Sequence, residues 1–113
     1  HTIGHGIEAA SGYTLRHGEA IAIGILAETR LAVRSGIAQE DLSEQVEEKL
    51  QSLGLPTTCP GLQPKHIRAL MTSDKKKQDG GLTFALPTAI GTVEYGLTLD
   101  ESLLAEVIAE VVE

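Results

Sequence analysis

Apolar residues recur at helical spacing along nearly the whole chain, and glycines cut that pattern into short runs. The clearest run is Leu42, Val46, Leu50 and Leu53, one stripe of a helix, with Glu44, Gln45, Glu47, Glu48 and Gln51 on its other face. This spacing predicts a helix over 40–53, ended by Gly54 and Pro56. An Ala-rich helix is expected over 1–11, stopping near Gly12, with a turn at 12–14. A longer one follows over 17–35, ended by Gly36. Its first half is crowded with small residues: Gly18, Ala20, Ala22 and Gly24. Such a helix gives up intrinsic propensity, which fits burial or a place beside a site. Pro64 suits the first turn of a helix over 64–72, with Ile67, Leu70 and Met71 apolar. A polar loop is expected over 73–81, then two short strands over 82–86 and 92–95. Thr98 and Glu101 read as the capping box of a last helix that buries Leu104, Ile108 and Val111. The expected fold class is mainly α, about five helices with one short β-hairpin, forming one domain over 1–113.

Composition narrows what such a domain can do. At 42% hydrophobic residues, spread over 113 positions, disorder is excluded as a reading. No apolar run reaches the roughly 18 residues of a membrane span. Nine Lys+Arg against sixteen Asp+Glu give a formal charge of -7, which argues against nucleic acid and against an acidic membrane surface. A single cysteine excludes an internal disulfide and fits a reducing, cytoplasmic setting. The chain opens on His1 without a Met, in what reads as the middle of a motif. The expectation is a fragment of a longer chain.

Three of the four histidines fall within the first seventeen residues. His1 and His5 are four apart and share a helix face, a spacing that can ligate one metal. Two polar residues at a helix end, or a tag remnant at His1, would look the same. His17 opens the second helix beside Gly18, where a backbone can come close to a ligand; a locally packed or capping histidine is the simpler reading. Their clustering among Gly, Ala and Ile favours metal or acid–base chemistry. Lys75, Lys76 and Lys77 form a basic run in an acidic chain, either a solvated run or an anion pocket. His66 reads as a surface residue, Tyr13 as packing at its turn, and Cys59 as a small filler without an activating neighbour.

Three runs together resemble the C-terminal domain of the 3-dehydroquinate synthase family of sugar-phosphate cyclases. His1-Thr2-Ile3-Gly4-His5-Gly6-Ile7-Glu8 is similar to the family's G-H-T-x-G-H-A-I-E without its leading Gly. His17-Gly18-Glu19-Ala20-Ile21-Ala22-Ile23-Gly24 is similar to H-G-E-A-V-A-x-G, and Asp74-Lys75-Lys76 to D-K-K. The resemblance runs from end to end of the chain. It departs at Gly6, where the family has Ala; on propensity alone Gly6 should loosen the helix that carries His1 and His5.

The resemblance implies a two-domain enzyme with its active site between an NAD-binding α/β domain and a helical domain like this one. It implies that His1 and His17 ligate Zn2+ or Co2+, with a third ligand, a Glu, lying outside this sequence. His5 is then a catalytic and substrate-contacting residue, and Lys75 or Lys76 holds the substrate anion. The implied reaction converts 3-deoxy-arabino-heptulosonate 7-phosphate to 3-dehydroquinate and phosphate in the shikimate pathway, with NAD recycled and a homodimer as the assembly. Two other readings stand beside it. One is another sugar-phosphate cyclase, such as 2-deoxy-scyllo-inosose synthase. The other is a non-catalytic helical association domain, with apolar surface that promotes self-association.

Overall fold

The computed structural model describes residues 2–75, 84–89, 92–97 and 100–113. The described residues form five helices and one hairpin: α1 (Thr2–Ala10), α2 (His17–Arg34), α3 (Ser43–Ser52), α4 (Pro64–Lys75), β1 (Phe84–Ala89), β2 (Thr92–Leu97) and α5 (Glu101–Val111). The mainly α expectation holds. Helix α2 is the hub, packing on α1, α3, α5 and β1, while α4 lies against α1 and α5. None of the described helices is long and apolar enough to cross a membrane.

The main core is built where those helices converge. Ile3 and Ile7 of α1, Ile23, Ala27 and Leu31 of α2, and Ile67 and Met71 of α4 are fully or almost fully buried. Phe84 and Leu86 of β1 and Leu104, Val107, Ile108 and Val111 of α5 close it. A second, smaller cluster joins Ala22 and Leu26 of α2 to Leu50 of α3. The strands pair antiparallel, Phe84 opposite Leu97 and Pro87 opposite Val93, with two irregularities in register.

Glycine decides how α1 sits. A Cβ on Gly24 would lie 2.6 Å from the Gly4 nitrogen and 2.7 Å from the Gly4 Cα, so α1 and α2 meet backbone to backbone. On its other side, a Cβ on Gly6 would lie 2.8 Å from the Ile67 carbonyl and 2.5 Å from the Met71 Cγ. Gly6 therefore does more than lower helix propensity. It lets α4 close onto α1, with contact that offsets the loss of propensity.

Several local expectations shift. Helix α3 starts at Ser43 rather than at 40, because the Asp41 carboxylate takes the Ser43 amide at 2.9 Å and its hydroxyl at 2.6 Å in a local turn. Leu53 is not in the buried stripe. Gly54 at φ 77 turns the chain there and leaves Leu53 62% exposed. Helix α4 runs three residues past 72, so Ser73 to Lys75 belong to it and not to a loop. The last helix is capped by Asp100, which accepts the Ser102 amide at 2.8 Å and the Ser102 hydroxyl at 2.6 Å. Glu101 pairs instead with Arg68 of α4, whose Nε donates to it at 3.0 Å. Thr98, like most of the loop over 73–81, lies outside the described residues. Tyr13 does not pack; it is 71% exposed at φ 63, in the left-handed region.

Candidate active site around His5 and His17

The turn after α1 brings two of the three early histidines together. Gly12 at φ 66 and Tyr13 at φ 63 reverse the chain within a few residues. The Glu8 carbonyl accepts the Tyr13 amide at 3.1 Å and the Ser11 hydroxyl at 2.7 Å, which ties the end of α1 to that reversal. Helix α2 then starts at His17, where the Glu19 side chain reaches back to accept the Arg16 amide at 2.9 Å. The ring centroids of His5 and His17 stand 6.0 Å apart with planes inclined by 32°. His5 is half-buried and His17 is exposed.

Glu8 completes this group. Its Oε1 lies 3.1 Å from Nδ1 of His17. A carboxylate only accepts, so Nδ1 donates in that bond, and in a neutral ring the lone pair then falls on Nε2. A second carboxylate ties α2 to α1 at another point. Glu28 of α2 is buried, and its Oε2 accepts the Ile3 amide at the start of α1 at 3.2 Å. Burial pushes its carboxyl above the usual carboxylate range, against the backbone hydrogen bond from Ile3 that favours its charge. Glu28 thereby satisfies an amide that a helix start otherwise leaves without a partner.

Sequence reasoning passed over both carboxylates. Glu8 was part of a motif without a role. Glu28 had one signal, a lone acid among Leu26, Ala27 and Leu31, all buried. The other expected site residues are spread differently. His1 and Lys76 lie outside the described residues, and Lys75 is the last residue of α4, one turn beyond the Met71 that touches Gly6. His66 is exposed, as its sequence suggested. Cys59 is buried, and burial pushes its thiol up to about 11, away from nucleophile chemistry.

Imidazole nitrogen and carboxylate oxygen are the donor types that Zn2+ takes, so the residue chemistry here fits such an ion. Among the described residues, no group of three or more His, Cys, Asp or Glu is arranged to hold one. Any complete set must draw on a donor beyond them.

Comparison with known proteins decides the family. The model described as 3-dehydroquinate synthase C-terminal matches residues 1–77. The chain belongs to the 3-dehydroquinate synthase C-terminal family. A 3-dehydroquinate synthase of Desulforamulus reducens is 39% identical over 112 residues, covering 97% of this chain and 31% of that protein. One from Nostoc punctiforme is 38% identical over 115 residues, covering 100% of this chain and 31% of its own length. One from Synechococcus sp. (strain CC9605) is 44% identical over 95 residues, 83% of this chain and 26% of its own. The chain thus spans about a third of the synthases it matches. The His5, Glu8 and His17 group lies within the span that the 3-dehydroquinate synthase C-terminal model covers.

Proposed function

We propose that this chain supplies the helical, metal- and substrate-binding side of the active site of a 3-dehydroquinate synthase. The reaction converts 3-deoxy-arabino-heptulosonate 7-phosphate to 3-dehydroquinate and phosphate. The observation that carries the reading is the placing of His5 against His17, within the family span, by a turn and a glycine crossing. In this reading His1 and His17 hold Zn2+ or Co2+. When bound, the metal supplies Lewis acidity to substrate oxygens and NAD supplies a recycled hydride acceptor. His5 sits beside the metal ligand, half-buried, where it contacts substrate and holds or passes a proton near the phosphate. Lys75 and Lys76 meet the anionic substrate with positive charge in a chain whose formal charge is -7. The setting is cytoplasmic, with small-molecule partners and a second copy of the enzyme rather than nucleic acid or membrane.

The test is phosphate release by the full-length protein from the heptulosonate phosphate, with NAD and Zn2+ present. Formation of 3-dehydroquinate in step with phosphate is expected. Lack of release would overturn the reading, and turnover of another cyclase's sugar phosphate in its place would transfer it to that class. The 113 residues alone are expected to show no turnover, because their metal donors are fewer than a catalytic site needs.

A further inference from the structure

Glu8 does something the proposed reaction has not yet used. Its carboxylate belongs to the scaffold: 18% of its side chain is exposed, against 59% for His17. Its backbone carbonyl accepts the Ser11 hydroxyl and the Tyr13 amide, which fixes the main chain from which the carboxylate extends. From that fixed point, Oε1 meets Nδ1 of His17 at 3.1 Å across the turn. The partner nitrogen is Nδ1, the one nearer the backbone, which leaves Nε2 as the ring's other nitrogen.

We infer that Glu8 is a positioning residue for His17: it holds the ring in the Nδ1–H tautomer and directs Nε2 toward a metal. The inference rests on the reading of His17 as a metal ligand. A carboxylate behind a ligating imidazole fixes ring orientation and raises the basicity of the other nitrogen. A simple tie between α1 and α2 would hold the same tautomer but would leave zinc affinity unchanged. Glu8 acts through His17 and takes no part in bonding to substrate.

The experiment uses the full-length protein with Zn2+ alone as probe, its affinity read by chelator competition. Glu8→Ala is expected to weaken zinc binding by about 10–100-fold. Glu8→Gln keeps an acceptor for Nδ1–H without the charge and is expected to lose less. His17→Ala sets the scale. If His17→Ala loses zinc while Glu8→Ala binds it as wild type does, the role of Glu8 is overturned and the metal reading survives. If His17→Ala also binds zinc normally, both fall. Should Glu8→Ala fail to fold, the 15N shifts of the His17 ring in the metal-free wild type decide. Protonated Nδ1 with bare Nε2 is expected, and the reverse tautomer overturns the inference.

Discussion

At the scale of single residues, burial and local hydrogen bonds separate inert groups from working ones. Cys59 is the chain's one thiol, and its desolvated surroundings hold it in the neutral form. We expect it to resist iodoacetamide in the native protein at pH 8 and to react fully after denaturation, as mass spectrometry would read. Rapid alkylation of the folded protein would contradict this. Asp100 behaves in the opposite sense. The Ser102 hydroxyl and amide hold its carboxyl below the usual carboxylate value of 3.8. A depressed folded pKa adds stability that is complete above the unfolded value and is lost as pH falls through the folded one. Asp100→Asn should therefore be less stable than wild type at pH 6, and the gap should close near pH 2. Thermal melts at the two pH values check this; a gap that persists at pH 2 would show that charge is not what the cap contributes.

Among the elements, the decisive contact is the crossing of α1 over α2. With Gly24 against the Gly4 backbone, a methyl group has nowhere to go without separating the helices. Gly24→Ala is expected to cost about 2–3 kcal/mol, an overpacking penalty that exceeds the gain of roughly 1 kcal/mol in helix propensity. Urea unfolding measures it. The same variant should disturb the spacing of His5 and His17, since one ring rides on each helix. Much of the element layout was legible in the sequence. The glycines at 12, 36 and 54 mark real ends, each at positive φ. The errors have local causes: Asp41 bonds its own turn and delays α3, and Asp100 caps α5 ahead of Glu101. Propensity ranks short polar residues alike as caps, so it does not say which neighbour takes the amide.

Over the whole molecule, charged side chains clamp α2 to α5 and α3. Arg34 meets Glu110 at 2.6 Å and Glu106 at 3.8 Å, while Arg30 reaches Glu47 at 3.7 Å and Glu110 at 3.8 Å. Half-exposed pairs of this kind are weak one by one but share partners here. Arg34→Ala should cost about 0.5–1 kcal/mol at low salt, and the difference from wild type should shrink in 1 M NaCl. Denaturant midpoints at the two salt levels test this; a difference independent of salt would assign the loss to packing of the Arg stem. The clamp stands on the side of α2 that meets α3 and α5, so it steadies the hub helix whose first residue is His17.

By itself the sequence determined the mainly helical class, the positions of the helices and the family, because apolar spacing, glycine stops and contiguous motifs are written along the chain. It also singled out His1, His5 and His17 one by one, but only the fold set His5 beside His17. Only the tertiary structure decided that Glu8 reaches His17, that Glu28 holds the start of α1, and that Gly4, Gly6 and Gly24 set how close three helices come. Leu53 fits the stripe of α3 yet stays outside, since the core it would join ends one turn earlier. The physical reason is common to all of these. Periodicity reports which face of an element is apolar, whereas hydrogen-bond partners and backbone approach depend on how two elements distant in sequence are brought together.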